Sequence, residues 1–244
     1  MDLYDLPPAD IVILGEIHDN PIHHAHQSIA VSALSPSAVV FEMLSPEQAA
    51  RVTPRLVGSA EALGATLGWE ASGWPDFGMY HPIFVAAGAA AIRGAAAPSE
   101  DVRQAARDGA SVVFGEEAGL FGLSDPLPEA EQALREAEQL VAHCDAMPAE
   151  ALPGMVEAQR LRDAWLARAA LDALDETGGP VVVITGNGHA RADWGVPHLI
   201  AAAAPEARVL AIGQFEEAAE PDPPFDLWIV TEAAERGDPC AAFR

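Results

Sequence analysis

The chain has 244 residues, half of them hydrophobic, enough to bury one substantial core. Thirteen Lys and Arg against 37 Asp and Glu give a net charge of -24, which disfavours nucleic acid and anionic membrane surfaces as partners and favours divalent cations. An anionic ligand would need an arginine at contact range. No apolar run approaches the roughly 18 residues that cross a bilayer, and the amino terminus leads into the first strand without a basic segment, an apolar stretch or a lipobox cysteine. A cytoplasmic protein is expected. Two cysteines, Cys144 and Cys240, are too few for a disulfide framework or a thiolate cage and leave one bridge open.

In chain order, β-branched residues predict a first strand over about 10–15, and Asp19-Asn20-Pro21 opens a helix over about 21–35. That helix carries His23, His24 and His26, which point apart as neighbours, so at most one or two join one site. A second buried strand over 38–42 ends in Glu42. A strand-helix-strand unit of this length is a parallel crossover, which puts Glu42 on the same sheet edge as His18. From 45 to about 107 the periodicity is helical but interrupted by glycines and prolines, with an aromatic loop over 69–82 and a short third strand suggested near 89–93. The stretch 109–123 has no clear assignment. Helices follow over 126–143 and 151–175, then a strand over 181–186, a helix over 194–203 and strands over 208–213 and 225–231. The expected fold is three-layer α/β: a mostly parallel sheet with helices on both faces, in one domain spanning 1–244 with a helical insertion over about 45–175.

Two strands end in the same spelling, Gly15-Glu16-Ile17-His18 and Gly186-Asn187-Gly188-His189. Ligands of open parallel sheets bind outside the carboxyl ends of the strands, so the two imidazoles are aimed at one crevice. His18, His189, Glu16 and Glu42 make a donor set suited to zinc, manganese or non-haem iron, and Glu16 or Glu42 beside such a metal would serve as the general base of a hydrolase. The bland alternative is that both carboxylates cap loops. Arg191 and Asp193 follow His189, and Gln159 and Asp163 share a face of the long helix with Arg162 adjacent to it.

Read together, these segments resemble the ChaN-like haem-binding uptake proteins of the Tiki and erythromycin esterase superfamily. The superfamily is marked by two Gly-x-x-His motifs and a glutamate after the second strand, present here as Gly15 to His18, Gly186 to His189 and Glu42. Closer to the ChaN-like branch are Gly15 to Pro21, His143-Cys144 with 155–163, Gly186 to Arg191 and Asp193 to Pro197. The resemblance implies haem or iron-porphyrin binding, often between two protomers and hence a homodimer, whereas other branches imply metal-dependent proteases or esterases. For haem, Tyr80 or His81 is the candidate axial ligand, and Arg191, Arg162 or Arg51 would meet the propionates. The alternative for Tyr80 is a ring in an aromatic plug with its hydroxyl hydrogen-bonded.

Overall fold

The computed structural model describes residues 2–238 and 240–241. The apolar runs become β1 (Ile11–Leu14), β2 (Ala38–Phe41), β3 (Ala91–Gly94), β4 (Val181–Ile184), β5 (Val209–Glu216) and β6 (Leu227–Thr231). They form one six-stranded sheet in the order β3-β2-β4-β1-β5-β6, and every pairing is parallel. All residues of β1, β2 and β4 are buried, as β-branched composition requires of strands covered on both faces. Val12 and Leu14 join the core cluster with Val39, Phe41, Val182 and Ile184 on one face; Ile11 and Ile13 alternate to the other and are equally inaccessible.

Register decides what the sheet edge presents. Leu14 and Phe41 both pair with Ile184, so β1, β4 and β2 end level, and the residues immediately beyond them emerge side by side. β4 lies between the other two. The segments that follow carry Glu16, Thr185 and Glu42.

Among the described residues the chain forms two compact units. The first runs to Ala96 and from Trp165 to Ala234 and holds the whole sheet; the second comprises 97–164 and the residues from Glu235. The helical middle is therefore shared between them. In the first unit, α1 (Pro21–Leu34) is capped by Asn20, whose side chain accepts from the Ile22 amide, and Pro21 takes the first helical position. α2 (Pro46–Ala49), α3 (Pro54–Val57), α4 (Ala60–Leu67) and α5 (Phe77–Ala87) follow. α5 packs along α1, and its Phe84 stacks on Phe41 of β2 at 4.3 Å. The aromatic loop is thus half helix: α5 starts at Phe77, ahead of Pro82, because Asp76 caps it by accepting from the Gly78 amide.

The second unit holds α6 (Ser99–Asp108), α7 (Ala110–Phe114), α8 (Glu129–Ala142) and the first half of α9 (Leu152–Thr177), which the division crosses. The unassigned stretch is α7 and a 3-10 turn. Buried Arg160 organises it, donating to Glu157 at 2.7 Å and to the carbonyls of Leu123 and Asp125 at 3.2 and 3.1 Å. Glu157 in turn accepts from the Ala110 amide. Cys144 and Cys240 form a disulfide within this unit. Back in the first unit, α10 (Asn187–Ala190) is a single turn, and α11 (Val196–Ala203) packs on β5. β6 begins two residues later than expected because Phe225 lies over Gly213 instead of pairing.

Candidate functional site

The leading glycine of each motif, Gly15 and Gly186, makes room for a residue of the other motif. A Cβ on Gly15 would collide with Asn187 Oδ1, and a Cβ on Gly186 would come 2.9 Å from His18 Nε2. The Asn187 amide donates to the Glu16 carbonyl at 3.0 Å, tying the two strand ends together. The repeated spelling is therefore one interlocked structure, which the level ends of β1 and β4 make geometrically available.

Glu16 is the centre of the first half. Its Oε1 accepts from His18 Nδ1 at 2.7 Å and from the Tyr80 hydroxyl at 2.9 Å. Its Oε2 is buried without a well-directed hydrogen bond and has His24 Nδ1 at 3.3 Å. His24 meets only acceptors: Nε2 faces the His18 carbonyl at 2.8 Å, and Nδ1 faces Gln27 Oε1 at 3.2 Å, whose amide group is spent on the Leu14 carbonyl. Both nitrogens therefore carry protons, and the cation is held by Glu16. Burial opposes the charge on Glu16, yet His18 and His24 outweigh it and hold the carboxyl below its ordinary value. Burial likewise opposes the charge on both histidines, and the hydrogen bonds to Glu16 reverse it, so both are raised. Tyr80 is pushed far up by burial and then by the Glu16 charge, which keeps it a phenol.

Glu42 is the centre of the second half. Its Oε2 accepts from the Thr185 hydroxyl at 2.7 Å and the Gly186 amide at 2.8 Å, and its Oε1 lies 3.4 Å from His189 Nε2. Burial would raise this carboxyl, but the nearby His189 charge and its hydrogen bond dominate and hold it well below the usual range. His18 senses both halves, since the Glu42 charge also raises it. The His18 side chain is 35% exposed, its ring meets Trp74 edge-on at 4.9 Å, and its Nε2 makes no hydrogen bond among the described residues.

The expected donors are thus gathered but divided by carboxylate. Among the described residues no group of three or more His, Cys, Asp or Glu side chains is arranged to hold a metal ion. One oxygen of each carboxylate already accepts from protein donors, His18 and Tyr80 on Glu16 and Thr185 and the Gly186 amide on Glu42. Tyr80 is fully buried, which matches the aromatic-plug alternative in geometry. His81 points elsewhere, donating from Nε2 to the Val57 carbonyl at 2.8 Å. Arg191 pairs bidentately with Asp193 at 2.7 and 2.8 Å and lies 3.4 Å above the Trp194 ring. Arg162 is half-buried on α9 in the second unit, and Arg51 is exposed.

The chain matches, over residues 3–200, the family described as haem-binding uptake, Tiki superfamily, ChaN. It belongs to that family. Among solved structures it is similar to ChaN of Campylobacter jejuni, described with cofacial heme binding, with a TM-score of 0.64, 18% identity, and coverage of 88% of this chain and 84% of that one. It also overlaps the type III effector HopBA1 with a TM-score of 0.46, 14% identity and coverage of 92% and 88%. No curated protein matches. The likeness to ChaN bears out the α/β fold with its parallel sheet.

In this ChaN-family chain, sequence reasoning missed His24, Thr185 and Trp74 as members of the site. The signal for His24 was present: it lies on the same side of α1 as Gln27, and Gln27 reaches the end of β1. His23 and His26 go elsewhere. His23 Nδ1 accepts from the Ile17 amide and its Nε2 donates to Thr231, while His26 donates to Gln214.

Proposed function

We propose that this protein binds haem at the strand-end site, with His18 as the iron ligand. Family membership supports the ligand class. The observation that carries the residue is His18 itself: an imidazole fixed through Nδ1–H by a carboxylate at 2.7 Å, with Nε2 open and the side chain partly exposed. Metal-ligating histidines characteristically donate their other ring N–H in this way. Tyr80 fits the role poorly, because ligation would require its phenolate beside the Glu16 charge. His81 would have to release the Val57 carbonyl. Bound haem would supply an iron centre, and the His18 imidazole would hold it. Glu16 holds the proton on Nδ1 and orients the ring, Trp74 offers an apolar wall, and Arg191 would meet a propionate by exchanging Asp193. Since His18 is raised and ligation needs a free Nε2 lone pair, affinity should fall as pH drops through its titration. Titrating hemin into the protein should give a Soret shift saturating at a fixed stoichiometry; unchanged spectra would sink the reading. A homodimer is proposed on the same kinship, and light scattering with and without hemin checks it.

The same dyad favours a second reading, hydrolysis. An imidazole oriented by a carboxylate is the form of a general base, and His18 Nε2 is the atom placed to take a proton from water. Glu16 and Glu42, held ionised by their partners, are weak bases in comparison. Turnover of an ester and peptide panel, with and without added zinc or manganese, that disappears in His18→Ala would support it. No turnover under any of these conditions would remove it.

The described residues contain no helix long and apolar enough to cross a membrane. The Cys144–Cys240 disulfide supports an oxidising compartment rather than the cytoplasm. Thiol titration of protein taken directly from its native compartment decides this: no free thiol is expected before reduction and two after.

A further inference from the structure

A cleft of about 770 Å³ opens between α4 and the segment 68–77 that leads into α5, and neither reading of the strand-end site uses it. It lies within the range of small-molecule sites. The space exists because α4 turns small residues toward it, Ala60, Gly64 and Ala65; at Gly64 a Cβ would come 3.0 Å from the Phe77 ring. Its walls are aromatic, from Trp69, Trp74 and Phe77. Its charged lining residues are Glu61, Glu70 and Asp76, and the lining contains no Lys, Arg or His. None of the three carboxylates makes a salt bridge among the described residues; Asp76 spends one oxygen capping α5.

Aromatic faces and unneutralised carboxylates attract the same kind of ligand and repel another. A cation over an indole or phenyl face gains from the ring quadrupole, and nearby carboxylates add to that attraction. A dianionic porphyrin meets the opposite field. We propose that this cleft is a separate binding site for a hydrophobic cation, an amine or quaternary ammonium carried on an apolar body. The site adjoins the first through one residue: Trp74 lines the cleft and also meets the His18 ring at 4.9 Å. Occupancy of the cleft is therefore expected to perturb His18.

The test uses benzyltrimethylammonium and its neutral isostere 2,2-dimethylpropylbenzene, which differ only by the charged nitrogen. Calorimetric titration of the whole protein should show saturable binding of the cation at one site and at least about tenfold weaker binding of the isostere. Affinity should fall with added salt for the cation alone. Glu61→Gln, Glu70→Gln and Asp76→Asn change exposed groups, and Asn retains the capping oxygen, so folding is not at stake. Each should weaken the cation by roughly threefold to fivefold, with Trp74→Leu weakening it further. The His18 ring signals in the NMR spectrum should shift on saturation. Equal affinity for the isostere, affinity indifferent to all three carboxylate variants, or no binding of the cation would each overturn the proposal. The two sites are read separately: calorimetric binding of the cation tests the cleft whether or not hemin binds, and where the parent protein saturates with hemin, the triple carboxylate variant should saturate unchanged or slightly tighter.

Discussion

Glu16 and Glu42 follow the level strands on either side of β4, are both buried and are both held ionised, yet by different means. Glu42 is held chiefly by His189, and its Oε2 is also fixed by two donors that do not titrate at ordinary pH, the Thr185 hydroxyl and the Gly186 amide. Glu16 is held by side chains from three elements, and two of its three partners titrate. The Glu42 half is thus the more fixed anion, one oxygen anchored to the sheet edge by non-titrating donors, whereas the Glu16 half is a network of two histidines and a phenol whose charge state depends on pH and on whatever engages His18.

Removing Glu16 should break the comparison most severely. Glu16→Leu strands the buried His24 cation and the Tyr80 hydroxyl, and a loss of about 3–5 kcal/mol in denaturant unfolding is expected. Glu42→Gln keeps an oxygen for Thr185 and the Gly186 amide, and a loss of about 1–2 kcal/mol is expected. If the two cost the same, the distinction between network and fixed anion fails.

Acid should sharpen it next. Burial pushes His23, neutral between the Ile17 amide and Thr231, down to about 4 from its ordinary 6.5. The unfolded state therefore takes up the proton first. The stability that neutral His23 contributes is present above 6.5 and lost as pH falls through about 4, amounting to about 3 kcal/mol. His23→Gln should flatten the stability profile over that window. On the alkaline side the sign reverses for His18 and His24, whose raised values mean that their contribution is present below 6.5 and lost as pH rises through their folded values. That alkaline loss should vanish in Glu16→Leu and persist in Glu42→Gln.

Tyr80→Phe should cost about 1.5–3 kcal/mol, the worth of a hydrogen bond to a charged group. Gly186→Ala is the mildest in stability, about 1 kcal/mol or less, because the added methyl meets the partly exposed His18 ring, which can move. It should nevertheless weaken hemin, since His18 is the atom set displaced.

The sheet was legible because its strands are runs of β-branched residues buried on both faces, and a strand-helix-strand unit leaves little choice but a parallel crossover. The paired Gly-x-x-His endings and Glu42 were legible as strand-end residues, and their adjacency followed from the sheet. What sequence could not supply is how the carboxylates share their partners. His24 and His23 are chain neighbours with opposite fates, one a cation on Glu16 and the other neutral, and only the packing of α1 against the strand ends separates them. Tyr80 drew attention as a rare tyrosine in an aromatic loop, but the loop's second half is α5, which turns it inward to Glu16. The sequence left open a single bridge between Cys144 and Cys240, and only the fold could bring together residues separated by 96 positions.

The most direct test of the account is to titrate hemin into His18→Ala and Tyr80→Phe side by side with the parent protein. The account predicts that His18→Ala loses the saturable Soret shift while Tyr80→Phe keeps its wavelength and stoichiometry despite its lower stability. Retention in His18→Ala with loss in Tyr80→Phe would contradict it and return the iron to the phenol.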